Sequence, residues 1–288
     1  MDEIVLRPTS AAQFDECPRK YYYQYQERIK TEAVSANLPF GTAVHEAVLG
    51  WLKGEMEGQN LDPVKIFQDK WERALEEKAM TFSAQWGPEE LTKTGERLTE
   101  RFPETWANTG LTVLVDSDGP LIERRFRVEM EKGLILSLEP DIIAMTPAGE
   151  VAVIDPKTTG ATYQEQFLEL GDQLTAYQWG VEQASPAGIE RVDQLGYMEL
   201  TKRKVPKTSK GKGPEVNPPA LVPRRDEALV SDLLQKYRWI ADDIRRGRFP
   251  RRPRMAFNSP CNMCEFHGLC SRDDWEGLTQ DQPQKAVI

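Results

Sequence analysis

The sequence lacks several features that assign other chains to a class at once. In its 288 residues no apolar run approaches the length of a membrane span, so we expect no membrane anchor. Residues 1–10 are acidic and poor in apolar side chains, unlike a secretory signal peptide, which predicts a cytoplasmic protein. Residues 211–213 (GKG) lack the first glycine and the following Ser or Thr of a phosphate-binding loop, so we expect no ATP-driven motor.

Acidic residues outnumber basic ones overall, but the positive charge is locally concentrated. The net charge of −9 argues against a surface that coats nucleic acid generally. Residues 202–212 and 245–254, however, are strongly basic and contain no acid. Because local patches decide whether a phosphate backbone is attracted, both runs are candidates for gripping phosphates, although solvated charge runs are also common.

The apolar pattern predicts a mostly helical first third followed by strands. Helices are predicted over residues 9–29, 39–54, 62–82, 88–107, 163–183 and 224–247. Strands are predicted over residues 111–115, 121–130, 134–145, 151–155 and 191–200. Pro18 requires the first helix to bend or restart, and the Pro-, Gly- and Lys-rich residues 201–223 indicate a mobile loop.

Carboxylates interrupt two apolar segments within residues 134–160. Asp141 and Asp155 occupy positions where a buried strand should be apolar, and the turn-rich residues 146–150 make the two segments an antiparallel hairpin. Alternation along a strand puts Asp155 and Lys157 on one face. Burying two acids together is costly unless a cation compensates, which points to a divalent metal.

A metal at this hairpin would support phosphoryl chemistry. Carboxylates with water and substrate phosphate hold Mg²⁺ or Mn²⁺, and such an ion polarises a phosphoryl oxygen and lowers the pKa of bound water. Lys157 could orient or deprotonate that water, or neutralise charge developing on the phosphate. The residues alone leave an equal alternative, in which the hairpin ends in solvent and its charges are merely exposed.

The pattern of Pro140-Asp141 and Asp155-Pro156-Lys157 resembles the PD-(D/E)XK nuclease superfamily. The resemblance implies Asp141, Asp155 and Lys157 as catalytic residues and both acids as metal ligands. It also implies the backbone carbonyl of Pro156 as a metal ligand. A proline at this position further indicates the edge or end of a strand.

Two further motifs resemble the RecB-like branch of that superfamily. Residues 40–45 (FGTAVH) resemble its glycine-to-histidine motif, which implies His45 as a metal ligand for a softer ion such as Mn²⁺. Without the resemblance, a lone helix histidine is more often a satisfied core residue. Gln173 and Tyr177 match the Q-x-x-x-Y motif, share one helix face, and by resemblance organise site and substrate.

The cysteines form a one-plus-three set: Cys17 near the start, and Cys261, Cys264 and Cys270 near the end. A cytosolic chain argues against two disulfides, and four thiolates suit either tetrahedral zinc or an iron–sulfur cluster, which spacing cannot distinguish. Nucleases of the AddB type and the CRISPR-adaptation type carry this arrangement around a [4Fe–4S] cluster. The resemblance therefore implies a cluster that staples the first helix to the C-terminal end, with His267 as a bystander.

Aromatic and basic residues are mixed in residues 19–25, as they are in channels for single-stranded nucleic acid. The alternative is that the tyrosines pack the first helix against the core. The residues concerned are Arg19, Lys20, Tyr21, Tyr22, Tyr23 and Tyr25.

The resemblance implies an α/β (α+β) fold with a restriction-endonuclease-like core, in which a mixed sheet is flanked by helices. We expect one compact unit with a helical part (1–110), a nuclease core (111–247) and a cysteine region with a tail (248–288). The implied function is a metal-dependent DNA exonuclease on single strands or duplex ends, in recombination or repair, phage DNA metabolism or CRISPR spacer acquisition. DNA, held through its backbone, is the expected partner, with recombination or CRISPR-adaptation proteins as further partners. The alternatives are a non-catalytic DNA-binding or assembly module, and the same nuclease with structural zinc.

Overall fold

The computed structural model describes residues 3–160, 165–206, 208, 211–252 and 259–280, with the backbone alone described at 165–167. The α-helices are α1 Pro8–Glu16, α2 Pro18–Tyr21, α3 Asn37–Met56, α4 Pro63–Glu77, α5 Pro88–Thr109, α6 Glu165–Leu170, α7 Asp172–Ala184, α8 Glu227–Arg245 and α9 His267–Arg272. A π-helical segment covers Tyr22–Gln26, and short 3₁₀ turns cover Pro186–Gly188 and Pro260–Met263. In the described part of the chain, no helix is both long and apolar enough to cross a membrane.

Most of the strands are short. They are β1 Ile4–Leu6, β2 Ile29–Thr31, β3 Val34–Ser35, β4 Met80–Thr81, β5 Thr112–Val113, β6 Val115–Asp116, β7 Gly119–Pro120, β8 Phe126–Glu131, β9 Leu134–Leu138, β10 Ile142–Met145, β11 Val151–Thr159, β12 Gln194–Thr201, β13 Glu215–Val216, β14 Ala220–Pro223 and β15 Leu278–Gln280.

A mixed six-stranded sheet forms the centre of the molecule. Its order is β13-β12-β11-β10-β5, and β14 also pairs with β12. β10 and β11 are antiparallel with Ile142 opposite Ile154, which confirms the hairpin predicted around residues 146–150. β11 and β12 run parallel through a crossover that contains α7. A second sheet has the order β1-β9-β8. This mixed α/β architecture is compatible with a restriction-endonuclease-like core.

The two faces of the central sheet bury different helices. Ala152 and Ile154 of β11 belong to the core cluster that includes α3, α4 and α5. Val153, between them, belongs to the cluster that includes α1, α7 and α8. Because side chains alternate along a strand, Asp155 follows Val153 onto the side of α7.

Two of the predicted elements are divided in the structure. Residues 134–145, predicted as one strand, form β9 and β10, which belong to different sheets and are separated around Pro140. The predicted helix over residues 9–29 ends at Glu16 and restarts at Pro18, with Cys17 in an extended conformation. Proline lacks the backbone N–H that a continuous helix requires, which explains this restart.

Two other predictions are partly wrong. Residues 201–223 are not simply a loop, because they contain two strands that pair with β12. β14 pairs with the first half of β12, and β13 pairs with its last two residues, Leu200 and Thr201. The helix predicted over residues 163–183 is broken at Gly171 into α6 and α7. Its first residues, 163 and 164, lie outside the described part of the chain.

Glycine at position 95 is required by the packing of α5 against α4. A Cβ atom added there would lie 2.0 Å from Cζ of the buried Phe67 ring. Gly50 in α3 differs, because its nearest neighbour would be Ile66 at 3.8 Å, an ordinary contact.

We therefore expect Gly95→Ala to lower the free energy of unfolding by about 1–2 kcal/mol, because overpacking outweighs the helix propensity gained. Gly50→Ala is the matched control and should raise that free energy by roughly 0.5–1 kcal/mol. Urea denaturation of both variants provides the measurement. Stabilisation by both substitutions would show that the α4–α5 contact is looser than described.

Candidate active site

Two carboxyl groups meet at one end of the central sheet. Asp141 precedes β10 and Asp155 lies within β11, one residue beyond the opposed pair Ile142 and Ile154. Asp155 is completely buried, and Asp141 is 9% exposed. Burial, followed by the adjacent charge of Asp155, raises the pKa of Asp141 to about 10. Asp141 therefore holds a proton at neutral pH unless a cation is bound beside it.

Asp155 is incompletely paired. Lys157 Nζ lies 2.8 Å from Asp155 Oδ2, so the two form an ion pair. Apart from Lys157 and the proton on Asp141, no described residue compensates the buried carboxylate oxygens of Asp155. Buried polar atoms are nearly always satisfied in folded proteins, so these oxygens mark a place for an additional positive ligand once Asp141 is ionised.

The helix α3 brings His45 to the same end of the sheet. His45 Nε2 lies 3.7 Å from Asp141 Oδ1 and 3.4 Å from Glu123 Oε1. Glu123 Oε2 also accepts a hydrogen bond of 2.6 Å from Lys53 Nζ. Lys53 lies on α3 about two helical turns beyond His45. The hydrogen bond from His45, reinforced by Lys53, lowers the pKa of Glu123 to about 2 despite its burial.

Glu123 and Lys53 were not predicted from the sequence. Glu123 has a φ of 51°, in the left-handed region that a non-glycine residue rarely occupies, and its N–H donates to the Asp141 carbonyl over 2.9 Å. Such strain persists only where the surrounding structure enforces it. The available signal was an acid directly following the apolar pair Leu121-Ile122, the same interruption that marks Asp141.

The helix α7 contributes the pair predicted from the Q-x-x-x-Y motif. Gln173 Nε2 donates a 2.8 Å hydrogen bond to the Tyr177 hydroxyl. Tyr177 is buried, and burial together with the charge of Asp155 raises the pKa of its hydroxyl above the usual range. The hydroxyl thus stays protonated and is oriented by Gln173 beside the acids.

The donor set suits a hard or borderline divalent cation. It combines carboxylates with one imidazole, and the orphaned oxygens of Asp155 together with the raised pKa of Asp141 fit a missing positive charge. As they stand, the described residues contain no cluster of three or more His, Cys, Asp or Glu side chains spaced to hold a metal. The pairing of β10 with β11 ends at Ile142 opposite Ile154, so among the described residues Pro156 has a ladder partner in β12 on one side and none in β10 on the other, as expected of a proline at a strand edge.

The four cysteines are brought together around one cavity of about 250 Å³. It is lined by Cys17, Cys261, Cys264, Cys270, Arg19, Lys20, Tyr23, Arg251, Arg252, Phe266, His267 and Ser271. None of the four cysteines is in a disulfide, and burial raises the pKa of the Cys264 thiol to about 11. An ion pair of 3.1 Å between Lys20 and Glu265 ties α2 to the C-terminal region beside the cavity.

The tyrosines of residues 21–25 pack mainly against other aromatic rings. Tyr21 is buried, with its ring 5.3 Å from Phe14 and 6.2 Å from Phe249. Tyr23 packs on Phe266, and the Tyr22 hydroxyl donates to Glu27. These contacts favour the packing alternative over a nucleic-acid channel at these side chains.

The arginines that begin the second basic run are engaged within the protein. Arg246 and Arg248 both pair with Asp242, and Arg245 donates to the carbonyl of Gly133. They are therefore less available to phosphate than the sequence predicts. Residues 253–254 of that run, and residues 207, 209 and 210 of the first, lie outside the described part of the chain.

The opposite pKa shifts of Asp141 and Glu123 predict opposite effects on stability in excess EDTA. Folding raises the pKa of Asp141 from 3.8 to about 10, so its contribution becomes less favourable as pH rises through that window. Asp141→Asn should therefore raise the free energy of unfolding at pH 8, on the order of 2 kcal/mol, with the gain vanishing near pH 4.

Folding lowers the pKa of Glu123 from 4.5 to about 2, so its stabilisation is present above the higher value and lost as pH falls through this window. Glu123→Gln should accordingly destabilise the protein at pH 8. Urea denaturation of Asp141→Asn between pH 4 and pH 8, and of Glu123→Gln at pH 8, measures these two effects. Destabilisation by Asp141→Asn at pH 8 would contradict the buried-acid interpretation.

Of the comparisons with known proteins, the match to a family model is the one that assigns the chain to a family. The crystal structure of SSO0001 superposes on the chain with a TM-score of 0.43 and 12% sequence identity, covering 94% of this chain and 88% of that one. A search of curated proteins gives no significant match. The family model of the PD-(D/E)XK nuclease superfamily matches residues 6–271, a span that contains both acids, Lys157 and the four cysteines. The chain therefore belongs to the PD-(D/E)XK nuclease superfamily.

Proposed function

We propose that this chain is a divalent-metal-dependent deoxyribonuclease of the RecB-like branch, acting as an exonuclease on single strands or duplex ends. Membership of the superfamily supports a metal-dependent nuclease that uses Mg²⁺ or Mn²⁺ and acts on DNA. The observation that carries the proposal is the pairing of Asp141 and Asp155, two buried acids whose charges are incompletely compensated by the protein.

The proposed metal ligands are Asp141, Asp155, His45 and the backbone carbonyl of Pro156. When bound, the ion supplies positive charge that activates a water and stabilises the phosphate being cleaved. Binding it would also release the proton that Asp141 holds, because a nearby cation favours the charged carboxylate.

The chain's own residues supply the remaining parts of the reaction. Lys157, 2.8 Å from Asp155, carries the positive charge that can orient the attacking water or neutralise the phosphate. Tyr177 accepts a hydrogen bond from Gln173 and keeps its own proton, so its hydroxyl can donate to a phosphate oxygen. Glu123, which is itself held by Lys53, accepts a hydrogen bond from His45 Nε2, the nitrogen that faces Asp141, and this bond would give way when Nε2 binds the ion.

We further propose that the four cysteines hold a [4Fe–4S] cluster. Their common cavity supports this, and so do the nearby cations Arg19, Lys20, Arg251 and Arg252, which suit an anionic thiolate-ligated group. A cluster would close a loop between residue 17 and residues 261–270 and fix the N-terminal helices, including His45, on the core. Structural zinc on the same thiolates is the alternative.

The biological setting follows from the same resemblance. Recombination or repair, phage DNA metabolism and CRISPR spacer acquisition all suit a cytoplasmic exonuclease of this kind, with proteins of those systems as partners. A non-catalytic assembly module is the second candidate function. The presence of both acids, the lysine and the histidine at one end of the sheet favours the enzyme.

Asp155→Ala should reduce cleavage of end-labelled single-stranded and duplex DNA in Mn²⁺ or Mg²⁺ by at least about 100-fold, because the buried charge that binds the ion is removed. Glu139→Gln is the matched control, since Glu139 is a nearby acid that pairs with Arg125 at the surface. Gel analysis of products over time gives both rate and exonuclease pattern. Equal cleavage by Asp155→Ala and the unmodified protein would exclude this site.

Cys264→Ala should abolish the brown absorbance of anaerobically purified protein and lower its melting temperature together, because ligation and cross-linking are lost at once. His267→Ala alters the same cavity without removing a thiolate and should keep the absorbance. A colourless unmodified protein containing one zinc per chain would establish the zinc alternative. Loss of absorbance without a change in melting temperature would exclude the staple.

A further inference from the structure

An exposed patch of apolar side chains and one cation surrounds the first turn of α3. We call Leu38, Phe82, Trp86 and Lys202 the first-turn patch. Leu38 is 68% exposed and Phe82 is 38% exposed, both high for large apolar side chains, whereas Trp86 is half-buried and packs against the core cluster that includes α3. Lys202 Nζ lies 4.5 Å from the centre of the Trp86 ring and 2.5 Å from Asn37 Oδ1.

Backbone pairing brings these distant parts of the chain together. The short parallel pair of β3 and β4 places Ser35 beside Thr81, and the N–H of Ala36 donates to the Thr81 carbonyl. Phe82 therefore directly follows the strand that adjoins the start of α3. Lys202 directly follows β12, and its N–H donates to the carbonyl of Thr159 at the end of β11.

The first-turn patch is continuous with the candidate active site along α3. Leu38, Gly41 and His45 follow one another at spacings of three and four, so they lie on one helix face. The rise of the helix separates Leu38 from His45 by about 11 Å. Between them Gly41 leaves open space, with no atom within 4 Å of where a Cβ would be.

The sheet gives a second connection between the patch and the site. Thr159, which lies beside Lys202, is two residues beyond Lys157 on the same strand. The patch and the catalytic lysine therefore lie at the same end of β11 and β12. A linear ligand that follows this face of α3 from the patch runs toward His45, whose Nε2 lies 3.7 Å from Asp141 Oδ1.

The chemistry of the patch fits one kind of ligand. Aromatic rings with an adjacent cation bind unpaired bases by stacking and the phosphate by charge, and they do so without sequence preference. Duplex DNA keeps its bases stacked inside and offers mainly its phosphates. Lys202 and the exposed Lys204 add positive charge where a phosphate backbone would run.

We propose that the first-turn patch binds a single strand of DNA about two to four nucleotides from the phosphate that is cleaved. A base stacks on Phe82, Leu38 contacts the next base, and Lys202, which lies over the Trp86 ring, contacts a phosphate. The inference rests on the proposed nuclease function, and it makes single-stranded DNA, or the unpaired end of a duplex, the substrate.

The test is fluorescence anisotropy with labelled oligo(dT) and a labelled blunt duplex, using full-length protein in EDTA so that no cleavage occurs. Leu38→Ser combined with Phe82→Ser should weaken binding of oligo(dT) about 10-fold and leave duplex binding nearly unchanged. Lys202→Gln should lower the slope of log affinity against log salt by about 1 for oligo(dT).

Trp239→Ser is the matched control, because Trp239 is 64% exposed on α8, on the opposite side of the central sheet. It should bind both ligands as the unmodified protein does, and equal melting temperatures show that the variants are folded. Unchanged affinity of the double variant for oligo(dT), or an equal loss for the duplex, would overturn the proposal and assign these apolar side chains to another occupant.

Cleavage of the same oligo(dT) by the unmodified protein in Mn²⁺ separates this proposal from the proposed function. Binding that depends on the patch, without cleavage that depends on Asp155, would contradict the proposed nuclease function and support the proposed binding surface. Cleavage that depends on Asp155, with unchanged binding by the double variant, would support the nuclease function and contradict the binding surface.

Discussion

Two carboxyl groups buried side by side, Asp141 and Asp155, are the constraint on which this site depends. Like charges in a poorly solvated place repel each other and lose hydration, so the protein keeps a proton on Asp141 and an ion pair between Asp155 and Lys157. A divalent cation would compensate both charges at once, which is why the same arrangement is unfavourable for the protein alone and suited to metal-assisted hydrolysis.

The elements around the acids each contribute to that electrostatic balance. The helix α3 supplies His45 and Lys53, and between them Glu123 is held in its charged form. The helix α7 supplies a tyrosine that stays protonated beside the negative charge. Glu123 reaches its position only by adopting a strained left-handed backbone conformation. Strain and unpaired charge gathered at one end of a sheet are typical of a site at which stability is given up for function.

The two ends of the chain are joined by ordinary contacts as well as by the cysteine cavity. β2 and β15 pair antiparallel, with Ile29 opposite Gln280, and Lys20 forms an ion pair with Glu265. The backbone thus already holds the C-terminal region against the N-terminal helices. A cluster on the four cysteines would add covalent rigidity to a junction that backbone pairing has formed, and through α2 and α3 it would steady the position of His45.

The sequence by itself determined the local features of this protein: the β10–β11 hairpin, the acids on it, the Gln173–Tyr177 pair on one helix face and the cysteine set. Strand alternation, helix periodicity and motif spacing are short-range properties that the sequence displays directly. His45 was identified through the resemblance to the family motif. Only the tertiary structure decided the rest. It split residues 134–145 between two sheets, buried Tyr21 while leaving Tyr25 exposed, and paired residues 220–223 with β12 as a strand. It also brought Glu123 to Lys53 across 70 residues. Those outcomes depend on the free energy with which distant surfaces pack together, and a local sequence pattern does not determine that free energy.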